Sequence, residues 1–322
     1  MSAPSLFEDQ NKRSTVGDFK FIDLFAGIGG TRIAFENAGG ECVFSSEWDK
    51  HSQKTYEANF GEIPHGDITK IDEKEIPDFD VLVGGFPCQP FSSIGKRQGF
   101  LHATQGTLFY DVLRIIENKK NKAFLLENVP GLVSHDSGRT FQVILDSLDE
   151  AGYKVFTKVL DASDFGVPQF RKRIYIVGFR KDLLKERSFT FPTGGVEKSY
   201  INDFLEQDVS GYSISKHLQE SYLFKKDDGR PKIIDKSSRI QVKTLVSTYH
   251  KIQRLTGTFV KDGETGLRLL TVNECKAIMG FPKDFKVPVS RTQMYRQFGN
   301  SVAVPVVEAV AKQIASLLKV LK

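Results

Sequence analysis

The sequence predicts an α/β protein, a doubly wound and mostly parallel sheet joined to a second, smaller, β-rich region. Three observations carry this. Short β-prone runs alternate with helical patterns from Phe19 to Phe179, the rhythm of strand–helix–strand units. The first run ends in a glycine-rich turn, Ala26-Gly27-Ile28-Gly29-Gly30. After Phe179 the alternation stops, and residues 180–265 are rich in Lys, Asp, Ser, Thr and Gly. A chain of 322 residues suits about two domains, and 40% hydrophobic with 26% charged residues excludes disordered, collagen-like and fibrous classes. The expected division is a lead-in over 1–18, a first domain over 19–180 and 296–322, and a second over 181–295.

The elements follow in order. Strands are expected at Phe19–Phe25, Cys42–Ser46, Asp80–Gly84, Ala123–Leu126, Lys154–Leu160 and Ile174–Phe179, where β-prone apolar runs end in turns or acidic residues. Helices are expected at Thr31–Ala38, closed by Gly39-Gly40, and at Lys50–Asn59, Leu108–Asn118, Phe141–Glu150 and Val302–Leu321. No apolar run approaches about 18 residues, so no membrane span is expected. The polar start, Met1 to Gly17, has no stretch of signal-peptide character. Three cysteines, Cys42, Cys88 and Cys275, match neither a disulfide framework nor a zinc spacing. Together these point to a soluble chain of a reducing compartment, with no metal.

The net charge of +5 is unevenly placed. Tyr222 to Lys261 holds ten basic and three acidic residues, while the other 282 residues sum to about −2. A local excess of this kind is the footprint expected where phosphates are bound, and also suits a solvated lysine-rich loop.

Two groups of residues carry chemistry. The turn at Gly27-Ile28-Gly29-Gly30 allows close backbone approach at a helix start, but it is not the GxGxxG dinucleotide pattern. Glu47, 20 residues after Gly27 and at the end of the second strand, suits ribose hydroxyls. Trp48, the only tryptophan, suits stacking on an adenine, and Asp67 suits an exocyclic amine. These point to an adenosine-type ligand. In the second group, Cys88 lies between Pro87 and Gln89-Pro90 in the loop after the Asp80–Gly84 strand, where α/β sheets place their chemistry. Glu127 and Asn128 end the next strand, and Arg171 and Arg173 alternate in an extended run, so they share one face. The bland alternatives are an inert thiol and a surface ion-pair ladder.

The residues in sequence also resemble a known family. Asp23-Leu24-Phe25-Ala26-Gly27-Ile28-Gly29-Gly30, Phe86-Pro87-Cys88-Gln89-Pro90-Phe91-Ser92, Glu127-Asn128-Val129, Gln169-Phe170-Arg171-Lys172-Arg173, Arg268 to Cys275 with Met279-Gly280-Phe281-Pro282, and Gln297-Phe298-Gly299-Asn300-Ser301-Val302 resemble the ordered motifs of DNA (cytosine-5) methyltransferases of the bacterial restriction–modification type. The resemblance spans about residues 19 to 310. It implies a class I S-adenosylmethionine-dependent methyltransferase fold and S-adenosylmethionine as methyl donor. The donor's site would be lined by Phe25, Ala26, Gly27, Ile28, Gly29, Gly30, Glu47, Trp48, Asp67, Ile68, Pro87, Leu108, Asn300, Ser301 and Val302.

By the same resemblance Cys88 is the nucleophile, Glu127 holds the cytosine edge, and Arg173 with Arg171 holds the carbonyl at position 2. Residues 181–265 fall where the family keeps target recognition, and Thr244-Leu245 resembles a short signature found there. DNA contacts are expected from Gln89, Ser92, Lys96, Arg97, Arg230, Lys232, Arg239, Lys243 and Thr244. Ile94 departs from relatives that carry a polar residue there to fill the space of the displaced base. The loop Ile94–Gly106, with Gly95 and Gly99 as hinges, is expected to act as a lid.

The implied partner is double-stranded DNA. A cognate restriction endonuclease acting separately, a monomeric state, no membrane and a bacterial cytoplasmic location at the nucleoid complete the expectation. Two alternatives remain: a transfer-RNA cytosine-5 methyltransferase, whose relatives carry Pro-Pro-Cys where this chain has Phe86-Pro87-Cys88, and a catalytically inactive DNA-binding relative.

Overall fold

The structure, a computed structural model, describes residues 17–87 and 108–321. Six strands form the main sheet: β1 (Phe19–Leu24), β2 (Gly40–Ser46), β3 (Val81–Gly84), β4 (Ala123–Asn128), β5 (Tyr153–Asp161) and β6 (Lys172–Arg180). Their order is β2-β1-β3-β4-β6-β5. The β1–β2, β1–β3 and β3–β4 pairs are parallel, and β6 runs antiparallel to both β4 and β5.

Strict alternation explains why these runs are apolar throughout. Val81 and Val83, Ala123 and Leu125, and Tyr175, Val177 and Phe179 enter one core; Leu82, Phe124 and Leu126, and Ile174 and Ile176 enter the other. A strand covered on both faces has no polar side to show. Strand β1 keeps the alternation, with Phe19 and Phe21 in one core and Ile22 and Leu24 in the other, while β2 carries one extra residue, Val43, where the register shifts from Phe21–Cys42 to Ile22–Phe44. On one face α1 (Gly30–Asn37) packs on the carboxy-terminal helix α7 (Val304–Leu318). On the other lie α3 (Leu108–Lys119) and α4 (Arg139–Glu150), which bury Phe109, Val112, Ile115, Ile116, Ile144 and Leu148. Helix α2 (Lys50–Phe60) follows β2.

The second region differs from the expected strand-rich domain. Its named strands are β7 (Lys232–Ile234) and β8 (Thr258–Val260), a parallel pair of three residues each, and most of the rest is turn and coil. Such short strands leave no readable period. It also shares a core with the first region: Val242, Leu245, Tyr249 and Phe259 belong to one apolar cluster with Phe21, Val83 and Val177. The expected boundary at 295/296 falls inside a helix, α6 (Arg291–Asn300), which follows α5 (Val272–Met279).

Arg268 anchors this junction. It is fully buried, pairs with Glu274 and Asp262 at 2.8 Å each, and Glu274 also closes the capping box of α5 with Thr271. Among the described residues one helical stretch, Arg291–Leu318, is long and apolar enough to cross a membrane, but it is broken between α6 and α7 at 301–303 and is half buried in the protein, as a core helix is.

Candidate active site

The carboxyl ends of β1 to β4 meet at one sheet edge. Because β6 is antiparallel, its first residues reach the same edge, with Glu127 opposite Tyr175 and Asn128 opposite Ile174. A cavity of about 890 Å³ opens there. It lies on both sides of β1, whose neighbours β2 and β3 feed opposite directions of the winding, the place where such sheets bind ligands.

One half of the cavity is built around the β1–α1 turn. Phe25 has a left-handed backbone, φ 57°, a conformation that costs about 1–3 kcal/mol for such a residue. It is held in part by Ala26, whose N–H donates to the Ser46 carbonyl at 2.9 Å. Gly27 also has positive φ, +56°, and a side chain there would reach nothing nearer than the Phe25 carbonyl at 4.0 Å, so open space faces it. The Glu47 carboxylate ties two loops together: Oε2 accepts from Gly27 N–H and Oε1 from Asp49 N–H, each at 2.8 Å. Burial raises its pKa, and the donors from Asp49 and Gly27 oppose the rise. Trp48 beside it is 73% exposed. Asp67 caps the turn at 68–70 through Thr69, whose N–H and hydroxyl both donate to Oδ1.

Of the fifteen residues expected at the donor's site, fourteen line this cavity. Gly29 does not: a Cβ there would strike the Phe60 ring at 2.2 Å, so it packs against α2. Beneath the turn, Asp23 is fully buried. Its Oδ2 accepts the Thr31 hydroxyl at 2.6 Å, while Oδ1 has no partner among the described residues. Burial pushes its carboxyl up to about 7.

The other half is polar. Glu127 and Arg173 pair at 3.0 Å, both largely buried. Burial raises the Glu127 carboxyl, and Arg173 and then Arg171 hold it down. Asn128 donates to the Phe86 carbonyl at 2.9 Å and accepts from Val129 N–H at 2.8 Å. It thereby fixes the backbone entering the Pro87-Cys88 segment from the end of β4.

Arg171 behaves differently from its expected role beside Arg173. Its guanidinium is buried and donates to three backbone carbonyls: Leu245 at 3.2 Å, Gly299 at 3.1 Å and Ser301 at 2.5 Å. Burial and the neighbouring Arg173 pull its pKa down to about 10. It borders the cavity but fastens its walls. Gln169 does the same one step earlier, donating to Ile278 and accepting from Leu245 N–H.

Cys88, Gln89, Ser92, Lys96, Arg97 and the loop Ile94–Gly106 lie outside the described residues, as does most of the lead-in. Of the remaining expected DNA contacts, Arg230, Lys232 and Lys243 are exposed. Arg239 stacks on the Tyr200 ring at 4.5 Å, and the Thr244 hydroxyl donates to the Phe170 carbonyl at 2.7 Å. None of these five borders the cavity. Sequence reasoning overlooked other cavity residues, among them Ser247, Thr248, His250, Lys251, Gln293 and Arg296. The spacing 293, 296, 300 on one helix face was the available signal. Among the described residues no cluster of His, Cys, Asp or Glu has a metal-binding arrangement.

The described geometry agrees with three comparisons. Residues 19–316 match the family of C-5 cytosine-specific DNA methylases. The Type II methyltransferase M.MspI of Moraxella sp is 62% identical over 97% of this chain and 74% of its own length. The Type II methyltransferase M.BsuFI of Bacillus subtilis is 64% identical over 95% of this chain and 74% of its own. In fold, a solved DNMT2 mutant of Spodoptera frugiperda superposes with a TM-score of 0.74 at 24% identity, covering 94% of this chain and 99% of that one. The chain belongs to the C-5 cytosine-specific DNA methylases and is a DNA cytosine-5 methyltransferase of the restriction–modification type.

Proposed function

We propose that this chain transfers a methyl group from S-adenosylmethionine to carbon 5 of a cytosine swung out of duplex DNA, through a transient bond to Cys88. The observation that carries the reading is one cavity with two unlike halves: the Trp48–Glu47–Gly27 side, and the buried Glu127–Arg173 pair. The first half fits the donor. An exposed indole offers a face for adenine, a buried carboxylate keeps lone pairs for ribose hydroxyls, and Gly27 leaves the backbone open. Bound there, S-adenosylmethionine supplies an electrophilic methyl on a sulfonium.

Carbon 5 of cytosine is a weak nucleophile. Addition of the Cys88 thiolate at carbon 6 turns the ring into an enamine and pushes electrons to carbon 5. Glu127 is suited to the ring nitrogen and amino group, since burial raises its carboxyl's pKa and so favours sharing a proton with the ring nitrogen. Arg173 orients Glu127 and faces the ring carbonyl. Asn128 and Arg171 are positioning residues: one fixes the chain before Cys88, the other ties Gly299 and Ser301 to the strand that carries Arg173. After methyl transfer, loss of the carbon-5 proton and departure of the Cys88 sulfur restore the ring. Swinging out the base costs a few kcal/mol of stacking and pairing, set against these contacts. The protein acts on DNA in the bacterial cytoplasm as a monomer, and a separate endonuclease of the same specificity would be its counterpart.

Transfer of a tritiated methyl group tests this. Duplex DNA is expected to be labelled and transfer RNA not, with label lost in Cys88→Ala and strongly reduced in Glu127→Gln. Labelling of transfer RNA alone, or full activity of Cys88→Ala, contradicts the reading.

A further inference from the structure

One wall of the cavity, apart from Asn300 at its end, has no task in the mechanism. It is made by α6 and the 246–251 turn, which are fastened to each other. Gly299 lets the two backbones touch, since a Cβ there would lie 2.2 Å from the Ser247 nitrogen. The Tyr249 and Tyr295 rings meet edge-on at 5.0 Å, both buried. With these rings turned inward, Lys251 on the turn and Gln293 and Arg296 on α6 are left facing the cavity. Lys251 and Arg296 are exposed, and neither side chain makes a hydrogen bond or ion pair with a described residue. The sequence of this wall, 246–251 and 291–300, contains no acid. Two cations without a partner among the described residues thus stand on a wall whose neutral groups include the hydroxyls of Ser247 and Thr248.

We infer that Arg296 and Lys251 form a clamp for the phosphates next to the target nucleotide. The inference rests on the functional reading above, because a base seated against the Glu127–Arg173 pair brings its own backbone to the cavity rim. A guanidinium grips a phosphate with two parallel N–H donors, and a lysine adds a mobile point charge. Neutral hydroxyl and amide donors complete such sites. The clamp lies outside the basic segment's expected contacts at Arg230 to Thr244, and it reads no sequence. The carboxylate of the methyl donor is an anion as well, so the test separates the two ligands.

The full-length chain, Arg296→Gln, Lys251→Gln and the double variant are titrated between 50 and 200 mM salt. The probe is a labelled 30-bp duplex containing the site mapped by bisulfite sequencing of DNA from an expressing host. Affinity for S-adenosylhomocysteine is measured in parallel. Each single change is expected to weaken DNA binding several-fold and to flatten the slope of log K against log[salt] by about 1, and the double change by about 2. Affinity for S-adenosylhomocysteine stays unchanged, which also shows that the variants fold. Unaltered DNA affinity and salt slope overturn the clamp. So does a loss of S-adenosylhomocysteine affinity with DNA binding intact, which makes the wall a seat for the donor's carboxylate. A wild-type chain that binds no duplex refutes the functional reading and the clamp with it.

Discussion

Replacing Glu47 with glutamine separates two roles that the structure joins in one carboxylate. Both oxygens accept backbone N–H groups, from Gly27 and Asp49, at 2.8 Å. Glutamine keeps one acceptor and turns an amide NH2 against the other N–H. One hydrogen bond to a charged acceptor is lost, about 1.5–3 kcal/mol. These bonds exist in the protein alone, so part of the loss is expected as a fall of a few degrees in melting temperature. The remainder reaches the ligand, because the displaced groups are Gly27 and the loop that presents Trp48. Affinity for S-adenosylhomocysteine, measured by calorimetry, is expected to fall roughly three- to tenfold, the equivalent of about half of that energy. A variant that melts earlier yet binds within twofold of wild type refutes the reasoning. Glu47 then fastens loops and takes no part in the donor's site.

Two other consequences are directly measurable. Asp23 has a pKa raised to about 7 by burial, so its neutral form is tolerated and its charged form is not. Its contribution is full below about pH 4 and is lost as pH rises through about 7. Glu127, also raised, acts in the same direction. Urea midpoints between pH 5 and 8 are expected to fall for wild type relative to Asp23→Asn, whereas parallel curves would remove Asp23 as the cause. Arg171→Lys keeps the charge, but one ammonium cannot span three carbonyls. The variant is expected to lose about 2–4 kcal/mol of stability and to raise the KM for S-adenosylmethionine. A lower kcat with unchanged stability and unchanged KM for S-adenosylmethionine would return Arg171 to direct contact with the base.

The sheet was legible because each central strand is buried on both faces, and alternation between two cores writes itself as continuous apolar runs such as Val81–Val83 and Phe124–Leu126. The Glu47–Trp48 side of the cavity was legible as well, since both residues follow directly from the end of β2. The arginines were half legible. Period two does place Gln169, Arg171 and Arg173 on one face, but it cannot show what meets that face. Leu245, Gly299 and Ser301 arrive from 74 to 130 residues away and take Arg171 for themselves. A turn with three glycines likewise hides that Gly29 faces Phe60. The second region resisted reading for a different reason. Its order comes from a core shared with the first region and from side-chain ties to Arg268 and Arg254, neither of which leaves a period in sequence.

Duplex DNA with 5-fluorocytosine at the methylated position has no removable carbon-5 proton, so the enzyme cannot complete its cycle on it. Incubation with S-adenosylmethionine, proteolysis and mass spectrometry are expected to find one peptide joined to the methylated fluoropyrimidine through Cys88. An adduct at another residue, or an adduct that still forms with Cys88→Ala, contradicts covalent catalysis by that sulfur.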